Sequence, residues 1–229
     1  MKPIYLSISP TLGELHWDGA PDDALLASQL AWMEMIQAEY SQQLLEVRQG
    51  FTALSIRWKR SDSQLLLQSE LSKHQPPPKE LPSRIWEVPV CYDPHNGRDL
   101  ADLALRHRMS INQLIELHSA QTYRLHFFGF LPGFMYLNGL PPQLHTPRKA
   151  IPDRKVEAGS VAIGGGQTGI YPQESPGGWH LIGRTPLQPF DPRRNPPVWA
   201  TPGDRIKFEP IDRETLEVHL QNPPIPKAK

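Results

Sequence analysis

The stretch that decides the fold runs from Tyr123 to Asp191 and reads YRLHFFGFLPGFMYLNGLPPQLHTPRKAIPDRKVEAGSVAIGGGQTGIYPQESPGGWHLIGRTPLQPFD. Three quarters of the chain's 16 glycines and half of its 26 prolines fall between Gly129 and Gly203. Glycine and proline at that density break long helices, so the segment reads as short strands joined by shaped turns. The aromatics and arginines set among those turns supply stacking faces and planar cationic forks, which suit a binding surface.

Several catalytic motifs are absent from this stretch. Gly164-Gly165-Gly166-Gln167-Thr168-Gly169 satisfies G-x-G-x-x-G, and Val161–Ile163 before it is a plausible strand. A dinucleotide fingerprint needs a helix opening on the last glycine, whereas Ile170, Tyr171 and Pro172 follow here. The Gly-Lys-Ser/Thr ending of a P-loop is missing too. What survives is a glycine-lined surface whose amides could approach an anion. The nine histidines form no H-E-x-x-H and no Cys/His pairing, so no zinc site is expected. Ser175 sits in Glu-Ser-Pro-Gly rather than in a nucleophile elbow. In Gly177–Arg184 the strand period puts Trp179, Leu181 and Gly183 on one side and His180, Ile182 and Arg184 on the other.

Upstream, Arg84–Tyr92 alternates as a strand, and Pro89 pushes it toward an edge or irregular pairing. Cys91 is expected to pack as a small apolar side chain. Asp99 is expected to cap a helix through Arg108. Ser110 and Gln113 form a capping box for a second helix, in which His118 shares a face with Ile111, Leu114 and Ile115. A histidine there is either a hydrogen-bonded core residue or a functional one. Lys73–Pro82 (KHQPPPKELP) is a stiff polar connection, which divides the chain into a domain over 1–82 and another over 83–229. The first reads as small α+β: strands at Ile4–Ser9 and Thr52–Lys59, a turn at Gly13, a helix from Pro21 to Tyr40, and a short helix ending at Leu71.

At 229 residues the chain has room for two modest cores. Lys+Arg and Asp+Glu balance at 24 each, which argues against a general nucleic-acid or membrane-surface binder. A single cysteine excludes an intrachain disulfide framework, and no apolar run approaches the roughly 20 residues of a membrane span. With no signal-peptide pattern, a soluble cytoplasmic protein is expected.

Phe128–Leu137 (FGFLPGFMYL) and Ala158–Pro186 (AGSVAIGGGQTGIYPQESPGGWHLIGRTP) carry a family resemblance. Pro89–Asp93, His118-Ser119 with Tyr123, Thr146-Pro147-Arg148, Pro189–Pro192 and Pro202-Gly203-Asp204 add to it, so that it covers Pro89 to Phe208. The chain resembles the KipI-type, allophanate hydrolase subunit 1-like family, whose bacterial members include one component of the ATP-dependent 5-oxoprolinase. The resemblance implies a ferredoxin-like α+β N-terminal domain and a mainly-β, cyclophilin-like barrel. It implies two partners: a homologous barrel protein of the KipA type and a further 5-oxoprolinase subunit. It also implies a reaction in which 5-oxoproline and ATP give glutamate, ADP and phosphate. The chain alone would be inactive, and ATP would be a co-substrate held mainly by the partner. Other family members inhibit a sensor histidine kinase or process urea-type amides.

An unactivated lactam is a poor electrophile, so its opening calls for positioned cations and amides around a carboxylate and a transferring phosphoryl group. Arg148 and Arg184 are the expected anion clamps, with Arg148 preferred to Arg154, and His118 the expected proton carrier. Glu174 is a polar contact and Tyr136 and Trp179 are walls. The amides of Gly164, Gly165 and Gly166 form the expected cradle.

Overall fold

The computed structural model describes residues 2–71 and 75–229, which divide into two compact units, Met1–Leu81 and Pro82–Lys229. The connection expected at Lys73–Pro82 begins with residues 73 and 74, which lie outside the described residues. No helix among the described residues is long and apolar enough to cross a membrane.

The first unit runs β1 (Ile4–Ser9), β2 (Leu12–His16), α1 (Asp23–Glu39), β3 (Leu44–Gln49), β4 (Ala53–Trp58) and α2 (Ser63–Leu71). Its strands form one antiparallel sheet in the order β1-β2-β4-β3. The alternation in β4 has its expected consequence: Leu54, Ile56 and Trp58 are buried and Arg57 is exposed. Helix α1 begins where the Asp22 carboxylate accepts from the Leu25 amide at 2.8 Å, satisfying a first-turn N–H. Leu25, Trp32 and Ile36 then join Leu15, Leu54, Ile56 and Trp58 in one core. Gly13 lies inside β2 rather than in a turn, because a Cβ there would overlap the Tyr5 hydroxyl. The chain order β-β-α-β-β-α is α+β, but it differs from the β-α-β-β-α-β of a ferredoxin-like domain.

The second unit contains β5 (Ile85–Cys91), α3 (Leu100–Arg106), α4 (Ile111–Ala120), β6 (Thr122–Phe128), β7 (Met135–Asn138) and β8 (Asp153–Val156). It continues with β9 (Ser160–Gly164), β10 (Gln167–Ile170), β11 (Ser175–Gly177), β12 (His180–Arg184), β13 (Arg205–Ile211), α5 (Arg213–Gln221) and β14 (Lys227–Ala228). Seven strands close into a barrel in the order β12-β9-β10-β7-β6-β13-β5, and the ring shuts where Arg184 of β12 pairs with Cys91 of β5. Only the β5–β13 pair is parallel, so the barrel is mixed. Strands β8 and β11 make a separate two-stranded ribbon.

Pro89 sits at the barrel's seam rather than on a free edge. Its strand pairs with β13 along its whole length, whereas on the other side β14 pairs at Trp86 and Glu87 and β12 at Cys91. The missing N–H therefore falls in a gap of the ladder. Cys91 is buried, and burial pushes its thiol up to about 11, so it stays a neutral packing group. The Pro202-Gly203-Asp204 turn acts from inside: the buried Asp204 carboxylate accepts from Arg84 Nε at 3.0 Å, Trp86 Nε1 at 2.9 Å and the Thr201 amide at 2.9 Å.

Helix α4 starts with the expected capping box, Gln113 N–H to Ser110 Oγ at 3.2 Å and Ser110 N–H to Gln113 Oε1 at 2.8 Å. His118, on the same helix, is fully buried. Its Nδ1 lies 2.8 Å from the Tyr92 hydroxyl and its Nε2 2.9 Å from Thr168 Oγ1, and its ring stacks on Phe208 at 4.8 Å. Of the two roles open to it, the packing makes it a hydrogen-bonded core residue.

Candidate functional site

The loop after β6 presents an aromatic to solvent in an uncommon conformation. Phe130 has φ +65°, which L residues with bulky side chains seldom adopt, and its side chain is 62 % exposed. Three backbone bonds hold the loop: Leu131 N–H to Gly129 O (2.7 Å), Phe134 N–H to Leu131 O (3.0 Å) and Gly129 N–H to Phe134 O (3.2 Å). Gly133, at φ +81°, presses against Phe190, and a Cβ there would come within 2.5 Å of the Phe190 Cβ. Phe130 stands edge-on to Phe134 at 5.7 Å and to Tyr171 at 6.4 Å.

Behind it lies a cluster outside the barrel core, in which Phe134, Tyr171, Trp179 and Leu181 are buried and Tyr136 is half-buried. Ring centroids are 5.4 Å apart for Phe134 and Trp179 and 5.7 Å apart for Tyr136 and Trp179. Two glycines make this packing possible. A Cβ on Gly164 would lie 2.5 Å from the Trp179 ring, so the bare strand lets the indole rest on it. A Cβ on Gly177 would lie 2.3 Å from the Tyr171 hydroxyl.

Arg148 is hung over this cluster by backbone pairing on both sides. Thr146 and Gly165 exchange two bonds, at 3.0 and 2.7 Å, and the Lys149 amide donates to Gly178 O at 2.7 Å. His180 Nε2 lies 2.9 Å from the intervening Pro147 carbonyl. The Arg148 guanidinium sits 5.5 Å from the Trp179 ring centroid and hydrogen-bonds the Tyr136 hydroxyl. Among the described residues no carboxylate pairs with it. Its neighbour Lys149 differs: its Nζ meets both Asp99 and Asp153 at 2.7 Å, which cancels its charge. Burial raises the Tyr136 phenol despite the pull of Arg148, and pushes that of Tyr171 up to about 12. Both are therefore neutral hydroxyls near pH 7.

The result is a pocket of about 360 Å³ lined by Phe130, Tyr136, Arg148, Tyr171, Gly178 and Trp179, among others. It offers flat walls, two hydroxyls and one unneutralised guanidinium, an arrangement that can hold a small planar molecule bearing a carboxylate.

Of the residues expected at one site, the fold brings together Arg148, Tyr136 and Trp179, with Gly164 beneath the indole. The rest lie elsewhere. His118 is inside the barrel, and Gly165 N–H is taken by Thr146 O, so Gly164, Gly165 and Gly166 shape the pocket wall and the turn rather than an open cradle. Glu174 is an exposed partner of Lys155 at 2.8 Å. Arg184 lines a second, polar cavity of about 180 Å³ together with His95, Asn96, Arg98, Lys155, Glu157, Ser160 and Leu181. A bulge between Leu181 and Gly183 inserts one residue into β12, so Arg184 faces the side of Leu181 and Ser160 rather than that of Ile182.

Phe130, Phe134, Tyr171, Lys149 and Asp153 were not singled out from the sequence. Asp99, expected as a cap for α3, makes no side-chain cap bond; it accepts from the Leu181 amide at 2.7 Å and holds Lys149. Among the described residues no group of three or more His, Cys, Asp or Glu side chains is placed to hold a metal ion.

Comparison with known proteins places this geometry in a family. The family described as carboxyltransferase domain, subdomain C and D, matches residues 8–200. A relative from Escherichia coli O157:H7, named as the second (B) component of 5-oxoprolinase, is 53% identical over 128 residues, which is 56% of this chain and 59% of the relative. The matched stretch spans 57–59% of the length of the curated relatives it matches. Among solved structures, TTHA0988 is 33% identical with a TM-score of 0.75, covering 88% of this chain and 40% of that one. Urea amidolyase from K. lactis reaches a TM-score of 0.81 at 17% identity, covering 99% of this chain and 16% of that one, and shows a shared fold alone.

Proposed function

The chain belongs to the carboxyltransferase-domain, subdomain C and D family, and from that premise we propose that it is one component of an ATP-dependent 5-oxoprolinase. The aromatic pocket under Arg148 would be its share of the substrate site. The observation that carries this reading is Arg148 itself, a guanidinium with no carboxylate partner among the described residues, set over an aromatic-walled pocket. The substrate's carboxylate would lie on Arg148, and its flat lactam ring against Trp179 and Tyr136. The neutral Tyr136 and Tyr171 hydroxyls would hydrogen-bond the ring amide. ATP as co-substrate supplies the activation that an amide carbonyl lacks, by phosphorylation of the lactam oxygen, after which water opens the ring. Names of curated relatives support the reaction, and the pocket supports the substrate class.

The pocket is open on one side. Phe130 (62 % exposed) and Ile151 (85 % exposed) leave large apolar side chains at and beside its mouth. Apolar groups rimming a polar site mark a surface that another protein covers. A homologous barrel protein of the KipA type is the proposed cover, and a third protein would complete the complex. On the same reading the second unit is a cyclophilin-like barrel. The first is ferredoxin-like with its chain order permuted, since moving β1 to the end of the unit turns β-β-α-β-β-α into β-α-β-β-α-β.

Reconstitution tests this. The chain alone is expected to release no ADP with 5-oxoproline, and addition of the two partner proteins is expected to give ADP and glutamate in step. Assembly without 5-oxoproline-dependent ADP release would rule the reading out, and capture of a histidine kinase in place of a barrel partner would favour a regulatory protein.

A further inference from the structure

The polar cavity that holds Arg184 is a separate piece of chemistry from the aromatic pocket. Its lining carries three permanent cations, Arg98, Lys155 and Arg184, with His95 beside them and one carboxylate, Glu157. Two of the cations are aimed by the backbone: Arg98 Nη2 donates to Lys155 O at 3.1 Å and Arg184 Nε to Ala158 O at 3.2 Å. Gly97 gives the floor its shape, because a Cβ there would come within 2.3 Å of the Ile182 carbonyl oxygen. Ser160, almost fully buried, lines the interior.

Each cation has a carboxylate partner: Arg98 with Asp153 (2.7 Å), Lys155 with Glu174 (2.8 Å) and Arg184 with Glu157 (2.6 Å). Two of those partners are weak holders. The Glu174 side chain is 60% exposed and that of Glu157 56%, and exposed ion pairs contribute little. Their departure would leave Lys155 and Arg184 free at a cavity already shaped by backbone contacts. A single carboxylate entering would leave a cation unmatched, whereas a doubly charged tetrahedral group matches both and accepts several hydrogen bonds at once.

We propose that this cavity binds a phosphoryl group, either free phosphate or the terminal group of a nucleotide, with Arg184, Lys155 and Arg98 as its donors. One carboxylate joins it to the aromatic pocket: Asp153 accepts from Arg98 on the cavity side and from Lys149 on the pocket side, both at 2.7 Å. A phosphoryl group drawing Arg98 away would leave Asp153 to Lys149, so occupancy of one cavity would be felt at the wall of the other. The proposal goes beyond the 5-oxoprolinase reading and does not depend on it.

The test is titration of the full chain with inorganic phosphate, and separately with ATP, followed by the Arg184 and Arg98 side-chain N–H resonances and the backbone amides of Ser160 and Leu181. Saturable shifts at these groups are expected. Affinity should fall about tenfold in Arg184→Gln and in Lys155→Gln, and stay unchanged in Arg148→Gln. Lys155 is a surface side chain, so its variant keeps the test valid if Arg184→Gln disturbs folding. Tighter binding of ATP names a nucleotide as the source, and equal or tighter binding of phosphate names the free ion. Absence of saturable shifts with both probes would overturn the proposal, as would binding unaffected by Arg184→Gln and Lys155→Gln.

Discussion

Replacing His118 with alanine should lower the stability of the barrel unit by about 4 kcal/mol and its melting temperature by on the order of 10 °C. The imidazole fills space between Tyr92, Tyr123 and Phe208, so its removal leaves a cavity as well as broken bonds. Thr168 Oγ1 keeps a partner, since it also donates to Ala162 O at 3.0 Å, but the buried Tyr92 hydroxyl loses its bond to Nδ1. The same histidine predicts a pH dependence. Burial depresses its pKa from an ordinary 6.5 to about 3. The unfolded chain therefore takes up a proton below about pH 6.5 that the folded chain refuses until about pH 3. Stability is full above about pH 6.5 and should decline as pH falls through that window, with a slope approaching about 1.4 kcal/mol per pH unit from this group. Denaturant unfolding at several pH values checks both claims, and the alanine variant should lose that part of the slope. If His118→Ala keeps wild-type stability yet stops turnover in the assembled complex, the core role is wrong and a proton-carrying role returns.

Replacing Arg148 with glutamine should reduce kcat/KM for 5-oxoproline in the reconstituted complex about 100-fold, through loss of a bidentate charged contact to the substrate carboxylate. Arg148→Lys should recover part of that, because an ammonium keeps the charge and loses the fork. Stability should scarcely change, since the guanidinium is exposed and its contact with Trp179 is worth on the order of 0.5–1 kcal/mol. The combination of a large kinetic loss with an unchanged melting temperature and intact assembly separates this residue from a structural one. Near-normal turnover in Arg148→Gln would remove the residue from the site.

Local chemistry was legible from the chain. The Ser110/Gln113 capping box, the Asp22 start of α1, the alternation of β4 and the packing role of Cys91 all depend on neighbours within a few positions, which a sequence displays. The site was half legible. Arg148, Tyr136 and Trp179 meet as expected, but their meeting depends on pairings between distant strands, such as His180 with Ile163. Those pairings also place Gly164 beneath Trp179, which no spacing rule reveals. Arg184 was misplaced for a specific reason: simple alternation takes it to the side of His180 and Ile182, while the bulge in β12 returns it to the side of Leu181 and places it in another cavity. Phe130 carried a weak signal, an aromatic inside Gly-Phe-Leu-Pro-Gly, but its left-handed backbone becomes visible only once the loop is closed by Gly129, Leu131 and Phe134.

The central claim is that the aromatic pocket, and not the Arg184 cavity or the barrel interior, receives the lactam. The most direct measurement is observation of the Trp179 indole N–H in the assembled complex as 5-oxoproline is added without nucleotide. A saturable shift of Trp179 that is abolished in Arg148→Gln and retained in Arg184→Gln is predicted. Saturable shifts confined to Ser160, Leu181 and Arg184, with Trp179 unmoved, would contradict it.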